Sequence, residues 1–331
     1  MTGLPVSIIL PTLNERRFLR DCLDSLLAQD CPDIIEIIVV DGGSSDGTRD
    51  IATAVGPPVR LVDNPNVTAA AAMNVGVAEA KGEIVCRADA HTLYATDYVS
   101  RCVAVLEETG ASNVGGVMRP VGTTSFGRAV AAVTSSPLGV GPGKFHYASE
   151  RLEVDTVYLG CWRRETLVAL GGYDETRLQW AAEDQELNFR LRRSGGRVVL
   201  DPSIRSVYFP RDTPRSLWRQ YFNYGVAKAS TLAKHGTLPT LRPLAPAALV
   251  AGSAVLAVTG RRRAVRALLP ALHFAVAAAG AARVSDDPGV APHRALGVIE
   301  VCHWSYGLGF WAGVWRIVRR RPFDTRPRGH R

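Results

Sequence analysis

The chain has 331 residues, 47% of them hydrophobic and 21% charged, which excludes a disordered protein and leaves material for a large core. Thirty-nine basic against 31 acidic residues give a net charge of +8, a balance suited to anionic lipid, phosphorylated substrates or nucleic acid. Six dispersed cysteines with no CxxC pair or metal-finger spacing read as reduced cytosolic thiols, and a strand-like run close behind Met1 argues against a cleavable leader.

In chain order, Val6–Leu10 predicts a first strand, and Glu15 to Gln29 carries a helical apolar stripe of Phe18, Leu19, Cys22, Leu23, Leu26 and Leu27. Ile34 to Val40 is a nearly unbroken apolar run ending in Asp41, the pattern of a strand buried on both faces. A second helix opens at Asp46-Gly47-Thr48, Val59 to Val62 makes a third strand, Val67 to Ala80 an Ala-rich helix, and Glu83 to Ala88 a fourth strand. This alternation predicts a mostly parallel α/β sheet with helices on both faces, whose ligands bind at the strands' carboxyl ends. A dinucleotide site is excluded, because no GxGxxG follows the first strand.

Beyond about Pro239 the composition changes. Pro243 to Thr259 and Ala267 to Ala282 lack Asp, Glu, Lys and Arg, and Arg261-Arg262-Arg263 with Arg266 separates them. A third apolar stretch, Ala295 to Val318, carries Trp304, Trp311 and Trp315 and ends in Arg319-Arg320-Arg321. Tryptophan and arginine flanks of this kind mark membrane helices, although each of the first two runs falls short of the ~20 residues of a span. We therefore expect two regions: residues 1–238, and a membrane-associated helical region over 239–331.

The chemistry-bearing residues cluster at strand ends. Asp41, before the Gly42-Gly43 turn, is placed to accept hydrogen bonds from a base or ribose. In Arg87-Ala88-Asp89-Ala90-His91, alternation along an extended segment predicts all three polar side chains on one face. Asp89 and His91 could then share a divalent cation, with Arg87 meeting a phosphate or carboxylate. Glu183-Asp184-Gln185-Glu186 opens a helix running to Arg193 and offers a general base on a rigid element.

Taken in order, these motifs resemble the family 2 inverting glycosyltransferases of GT-A fold, a Rossmann-like nucleotide-diphospho-sugar transferase. The resemblance is strongest to the succinoglycan-type exopolysaccharide enzymes. It rests on Pro11–Glu15, Val39–Thr48, Asp89-Ala90-His91, Gly171-Gly172-Tyr173-Asp174-Glu175, Glu183–Arg190 and Gln220-Tyr221-Phe222-Asn223-Tyr224-Gly225, and it covers about residues 5–235. It implies that Pro11, Thr12, Glu15 and Asp41 line the nucleoside pocket, with Asn74 and Arg87 close to the nucleotide-sugar. Asp89 and His91 would hold Mg²⁺ or Mn²⁺ against the diphosphate, Asp184 would be the catalytic base, and Glu183 would shape the acceptor site. Asn223 and Tyr224 replace the Arg-Trp pair of processive synthases, so transfer of one sugar is expected.

The expected partners are a nucleotide-sugar donor (a UDP-sugar), a lipid-linked or cell-surface glycan acceptor and the cytosolic face of the cell membrane. Nucleic acid is not among them, since the first part has no basic helix or aromatic-basic interleaving. Two rivals are a polyprenyl-phosphate sugar transferase and an inactive membrane sensor of sugar nucleotides. The first would need little help from Asp184, and the second would have no need of Asp41, Asp89, His91 and Asp184 together.

Overall fold

A computed structural model describes residues 3–140, 143–178, 181–238, 241–285 and 289–319. The chain divides into two compact units, residues 1–119 with 144–208 and residues 120–143 with 209–331.

In chain order the first unit holds β1 (Val6–Thr12), α1 (Arg16–Leu27), β2 (Ile34–Asp41), α2 (Thr48–Val55), β3 (Val59–Asp63), α3 (Ala69–Glu79), β4 (Ile84–Arg87), β5 (Thr92–Tyr94), α4 (Tyr98–Thr109) and β6 (Asn113–Pro120). After the segment that belongs to the second unit, β7 (Leu152–Glu153), β8 (Tyr158–Arg163), α7 (Arg164–Ala169), α8 (Glu183–Arg193) and β9 (Val198–Tyr208) complete it. The strands form one mixed sheet in the order β3-β2-β1-β4-β8-β6-β9-β5, with β7 beside β9. Its first four strands are parallel, as the βαβ pattern requires. From β4 onward β8 runs antiparallel to β4, and β5 and β7 run antiparallel to β9.

Two cores cover the sheet. Ile8, Leu10, Ile37 and Val39 point to one face with Leu19, Leu23 and Leu106, while Ile9, Ile38 and Val40 point to the other with Met73, Val77 and Trp162. This period of two explains why β2 is apolar at successive positions: both of its faces are buried. The alanines of α3 let that helix lie close to the sheet, and a side chain at Gly76 would run into Ile9.

The second unit holds α5 (Ser125–Thr134), α6 (Pro137–Val140), α9 (Pro214–His235), α10 (Ala245–Thr259), α11 (Arg263–Val284) and α12 (Pro292–Val318). The division falls at 208/209 and not at 238/239 as composition suggested, because α9 packs lengthwise on α12. Their backbones touch where side chains are missing: a Cβ at Gly225 would strike the carbonyl of Tyr306, and one at Gly309 that of Phe222. Pro239, Arg320 and Arg321, which marked the expected boundary and terminal cluster, lie outside the described residues.

Among the described residues α11 alone is long and apolar enough to cross a bilayer, and α10 is a shorter apolar helix. The arginine cluster is not simply a separating loop, since Arg263 and Arg266 lie in the first turn of α11. Apolar side chains of α10 and α11 (Val255, Val258, Leu268, Leu272, Phe274 and Val276) are exposed.

Candidate functional site

The loops after β1 and β2 are laced into one structure. The Asn14 side chain accepts from the Ser45 amide (2.9 Å), the Ser44 hydroxyl accepts from the Asn14 amide (2.8 Å), and the Thr48 hydroxyl accepts from the Glu15 amide (2.9 Å). Asn14 takes the left-handed conformation with φ 57°, which asparagine tolerates better than most residues.

Asp41 is the hub of this structure. It is 1% exposed, and its carboxylate accepts from the Gly43 and Ser44 amides, the Ser44 and Thr12 hydroxyls and Arg49. Burial pushes its pKa up, but the hydrogen bonds from Ser44, Thr12 and Arg49 outweigh this and hold it below the usual carboxylate range. Thr12 is drawn into the same hub, while Pro11 and Glu15 stay partly open beside it. Asp41 therefore organises the loops after β1 and β2 through bonds to its own chain, which its place before a glycine turn did not reveal.

The Asp89-Ala90-His91 segment is a turn and not the extended segment expected. The Thr92 amide donates to the Asp89 carbonyl (3.2 Å), and the Tyr94 hydroxyl accepts from the Asp89 amide (2.7 Å). The Cys22 thiol also reaches the Asp89 carbonyl, at 3.5 Å. As a result Asp89 and His91 face different neighbours. Asp89 Oδ1 lies 3.4 Å from Arg87 Nε, whereas His91 Nδ1 lies 3.6 Å from Glu15 Oε1, with the His91 ring against Tyr208.

His91 Nδ1 is buried without a hydrogen-bond partner. An imidazole nitrogen in that state, with the partly open Asp89 carboxylate two residues away, suits a divalent cation that takes its remaining ligands from a diphosphate. Among the described residues no cluster of three or more His, Cys, Asp or Glu forms a metal site by itself.

Arg87 does not stand free to meet a phosphate. It is buried, bonded to Glu183 (Nη1 to Oε1, 3.0 Å) and to Asp89, and these carboxylates hold it protonated against the cost of its burial. One guanidinium thus ties the end of β4 to the start of α8 through an ion pair with Glu183. Asp184, next along the helix, has no such ion pair among the described residues and accepts only a 2.7 Å bond from the Gln185 amide. Burial first, and the neighbouring Glu183 charge second, raise its pKa to about 6. A carboxylate so tuned is a stronger proton acceptor than an ordinary aspartate and is still ionised at neutral pH.

The helix carrying it is rigid. Asn188 bonds Asn113 of β6 (2.7 Å) and Thr156 (3.0 Å) in the interior, which fixes α8 to the sheet. Arg190, paired with the buried Glu186, donates to the carbonyls of Leu170 and Gly172 and so holds the Gly171–Glu175 turn. Asn74 serves the same turn from α3. Its amide accepts from the Tyr173 amide (2.7 Å) and donates to the Tyr173 carbonyl and Glu175, so its polar atoms face the turn.

Tyr173, Tyr94, Cys22 and Arg190 were missed in the sequence. Only Tyr173 and Arg190 sat inside recognised motifs, and nothing in the spacing marks Tyr94 or Cys22, which reach Asp89 through the fold. The Gln220–Gly225 segment lies on α9 in the helical unit.

Residues 7–147 match the model of the glycosyl transferase family 2. The chain is 32% identical over 329 residues to the succinoglycan biosynthesis protein ExoA of Rhizobium meliloti, covering 97% of this chain and 98% of that one. It is 26% identical over 240 residues to a dolichyl N-acetyl-α-D-glucosaminyl phosphate 3-β-D-2,3-diacetamido-2,3-dideoxy-β-D-glucuronosyltransferase of Methanococcus voltae, covering 69% and 74% of the two chains. The mannosyltransferase PcManGT of Pyrobaculum calidifontis, solved with GDP-Man and Mn²⁺, superposes with a TM-score of 0.64 at 23% identity over 94% of this chain and 87% of that one.

Proposed function

The chain belongs to glycosyltransferase family 2, and from that premise we propose that it moves one sugar, with inversion, from a nucleoside-diphospho-sugar to a hydroxyl of a lipid-linked or glycan acceptor at the cytosolic membrane face. The observation that carries this reading is the division of labour at the start of α8. Arg87 occupies Glu183, and Asp184 is left as a carboxylate with its pKa raised to about 6.

In this reading Asp184 takes the acceptor hydroxyl's proton as the oxygen attacks the anomeric carbon, a contribution of about 10²–10⁴ in rate. Glu183, held by Arg87, shapes the acceptor side. Asp89 and His91 hold one Mg²⁺ or Mn²⁺, which when bound stabilises the charge gathering on the leaving diphosphate. Pro11, Thr12 and Glu15 border the nucleoside, on a wall shaped by Asp41. Asn74 acts on that wall at one remove, through the Tyr173 turn. The activity of the Methanococcus relative, at a dolichyl-linked sugar phosphate, supports a lipid-linked acceptor. The role of ExoA in succinoglycan biosynthesis supports an exopolysaccharide product. The GDP-Man and Mn²⁺ of the Pyrobaculum enzyme support a nucleoside-diphospho-sugar and a divalent cation, and they put GDP-sugars beside the expected UDP-sugars as donors.

The test is to incubate membranes containing the protein with radiolabelled UDP- and GDP-sugars and extract the lipid-linked products. Label should enter the lipid fraction from one donor and only when a divalent cation is present. Absence of product with every donor, despite nucleotide binding, would contradict the proposal and favour a sensor.

A further inference from the structure

An open groove of about 780 Å³ in the helical unit is lined by Ala131, Ala132, Pro137, Val284 and Val290. Two exposed arginines are among its lining residues, Arg128 from α5 and Arg283 from the last turn of α11. Neither side chain has an ion pair, hydrogen bond or ring contact among the described residues. Asp286 and Asp287 follow Arg283 in the sequence but lie outside the described residues.

Two cationic side chains on the rim of an apolar groove suit an anion, and guanidinium groups grip phosphate oxygens through parallel N–H bonds. A second feature says what carries that anion. Along α11, Leu268, Leu272 and Val276 are exposed at four-residue intervals, and Arg283 continues the same stripe seven residues on. The stripe offers apolar surface to acyl chains, and its arginine end offers charge to a headgroup.

We propose that the Arg128–Arg283 pocket is a binding site for the phosphate headgroup of an anionic phospholipid, whose acyl chains lie along the exposed stripe of α11. The proposal rests on the reading that this unit meets a membrane. It adds a lipid-specific contact to what would otherwise be nonspecific apolar attachment.

The experiment uses the full chain in detergent, with lipid occupancy counted by native mass spectrometry as phosphatidylglycerol or phosphatidylcholine is titrated in. The wild type should hold one phosphatidylglycerol in preference to phosphatidylcholine. R128Q/R283Q should weaken that one by about thirtyfold, since each basic side chain at an anionic surface is worth about fivefold. R128K/R283K should recover part of the loss, and thermal melting of each variant checks that it folds. R261Q/R262Q removes the same charge outside the pocket and should leave the tight lipid in place.

Three results would overturn the proposal. Occupancy in R128Q/R283Q could equal the wild type, glycerol 3-phosphate could bind as tightly as the whole lipid, or a polyisoprenyl phosphate could displace phosphatidylglycerol mole for mole, which would make the pocket an acceptor site. Because binding is read in detergent, this outcome is separate from whether the chain is integral to membranes, which alkaline carbonate extraction decides.

Discussion

In the sheet unit, buried carboxylates are paired with arginines of the same unit, Glu36 with Arg60, Glu183 with Arg87 and Glu186 with Arg190. Glu36 accepts from the Ser7 hydroxyl, the Lys81 amide and Arg60, and Asn113, Asn188 and Thr156 close a chain of bonds in the interior. Among its described residues four buried polar atoms lack a hydrogen-bond partner: His91 Nδ1 and the Tyr173 hydroxyl, in motif residues of the candidate site, and His146 Nδ1 and Trp162 Nε1 elsewhere. In the helical unit such atoms are spread along the helices, on Ser253, Tyr306 and Arg316, with His273 Nε2 and Glu300 Oε1 3.5 Å from one another, while apolar side chains of α10 and α11 face outward. An orphaned polar atom among chemistry-bearing motif residues at a strand end suits a ligand. A helix that is apolar on its open face points instead to a surrounding other than water.

The largest effect should come from chelation, which removes the partner awaited by His91. Turnover should fall to background in excess chelator and return with Mn²⁺ or Mg²⁺. His91→Ala should weaken the metal requirement and the rate far more than the melting temperature, and full activity in chelator would remove the cation from the account.

Next comes Arg87→Met, which leaves Glu183 buried and uncompensated. It should cost about 3–5 kcal/mol, read as a drop in thermal or denaturant stability. A loss below about 1 kcal/mol, the scale of an exposed pair, would mean that the interior is wetter than its packing implies.

A smaller loss is expected from Gly309→Ala in the other unit, where the new methyl meets the Phe222 carbonyl and α9 must shift from α12. About 1–3 kcal/mol is the usual cost of overpacking. The same packing predicts that a chain ending at Leu238 exposes the α9 face around Gly225 and aggregates. A freely soluble, well-folded product would return the boundary to where composition put it.

The parallel half of the sheet was legible because its strands are long and apolar and alternate with helices. The helix from Glu183 to Arg193 was legible from its acidic start and glycine stop. The antiparallel half was not. Strands such as β5 and β7 span three and two residues, too short to show a period, and they exist through pairing with distant β9.

At the site, residue types were readable and their geometry was not. Alternation assumed that Asp89-Ala90-His91 was extended, whereas a hydroxyl from Tyr94 folds it into a turn. Arg87 looked like a phosphate ligand because Glu183, its partner 96 residues away, is invisible to local spacing. The membership of residues 120–143 in the helical unit had no compositional mark at all.

The central claim is that Asp184 is a base tuned by its surroundings, and pH gives it a signature of two opposite signs. Its ionised form does the chemistry, so turnover should fall about tenfold per unit as pH drops below about 6 and level off above. The folded state holds this proton more tightly than the unfolded chain does. Stability contributed by Asp184 is therefore present at low pH and lost as pH rises towards 6. The direct measurement pairs calorimetric affinity for the nucleoside diphosphate with metal against initial transfer rate, across pH, for wild type and Asp184→Asn. The account predicts binding within a few-fold, turnover down by at least about 10², and loss of the pH limb near 6. Near-normal turnover in Asp184→Asn, with the same pH limb, would contradict it and assign proton removal to Glu183 or to an acceptor phosphate that needs no base.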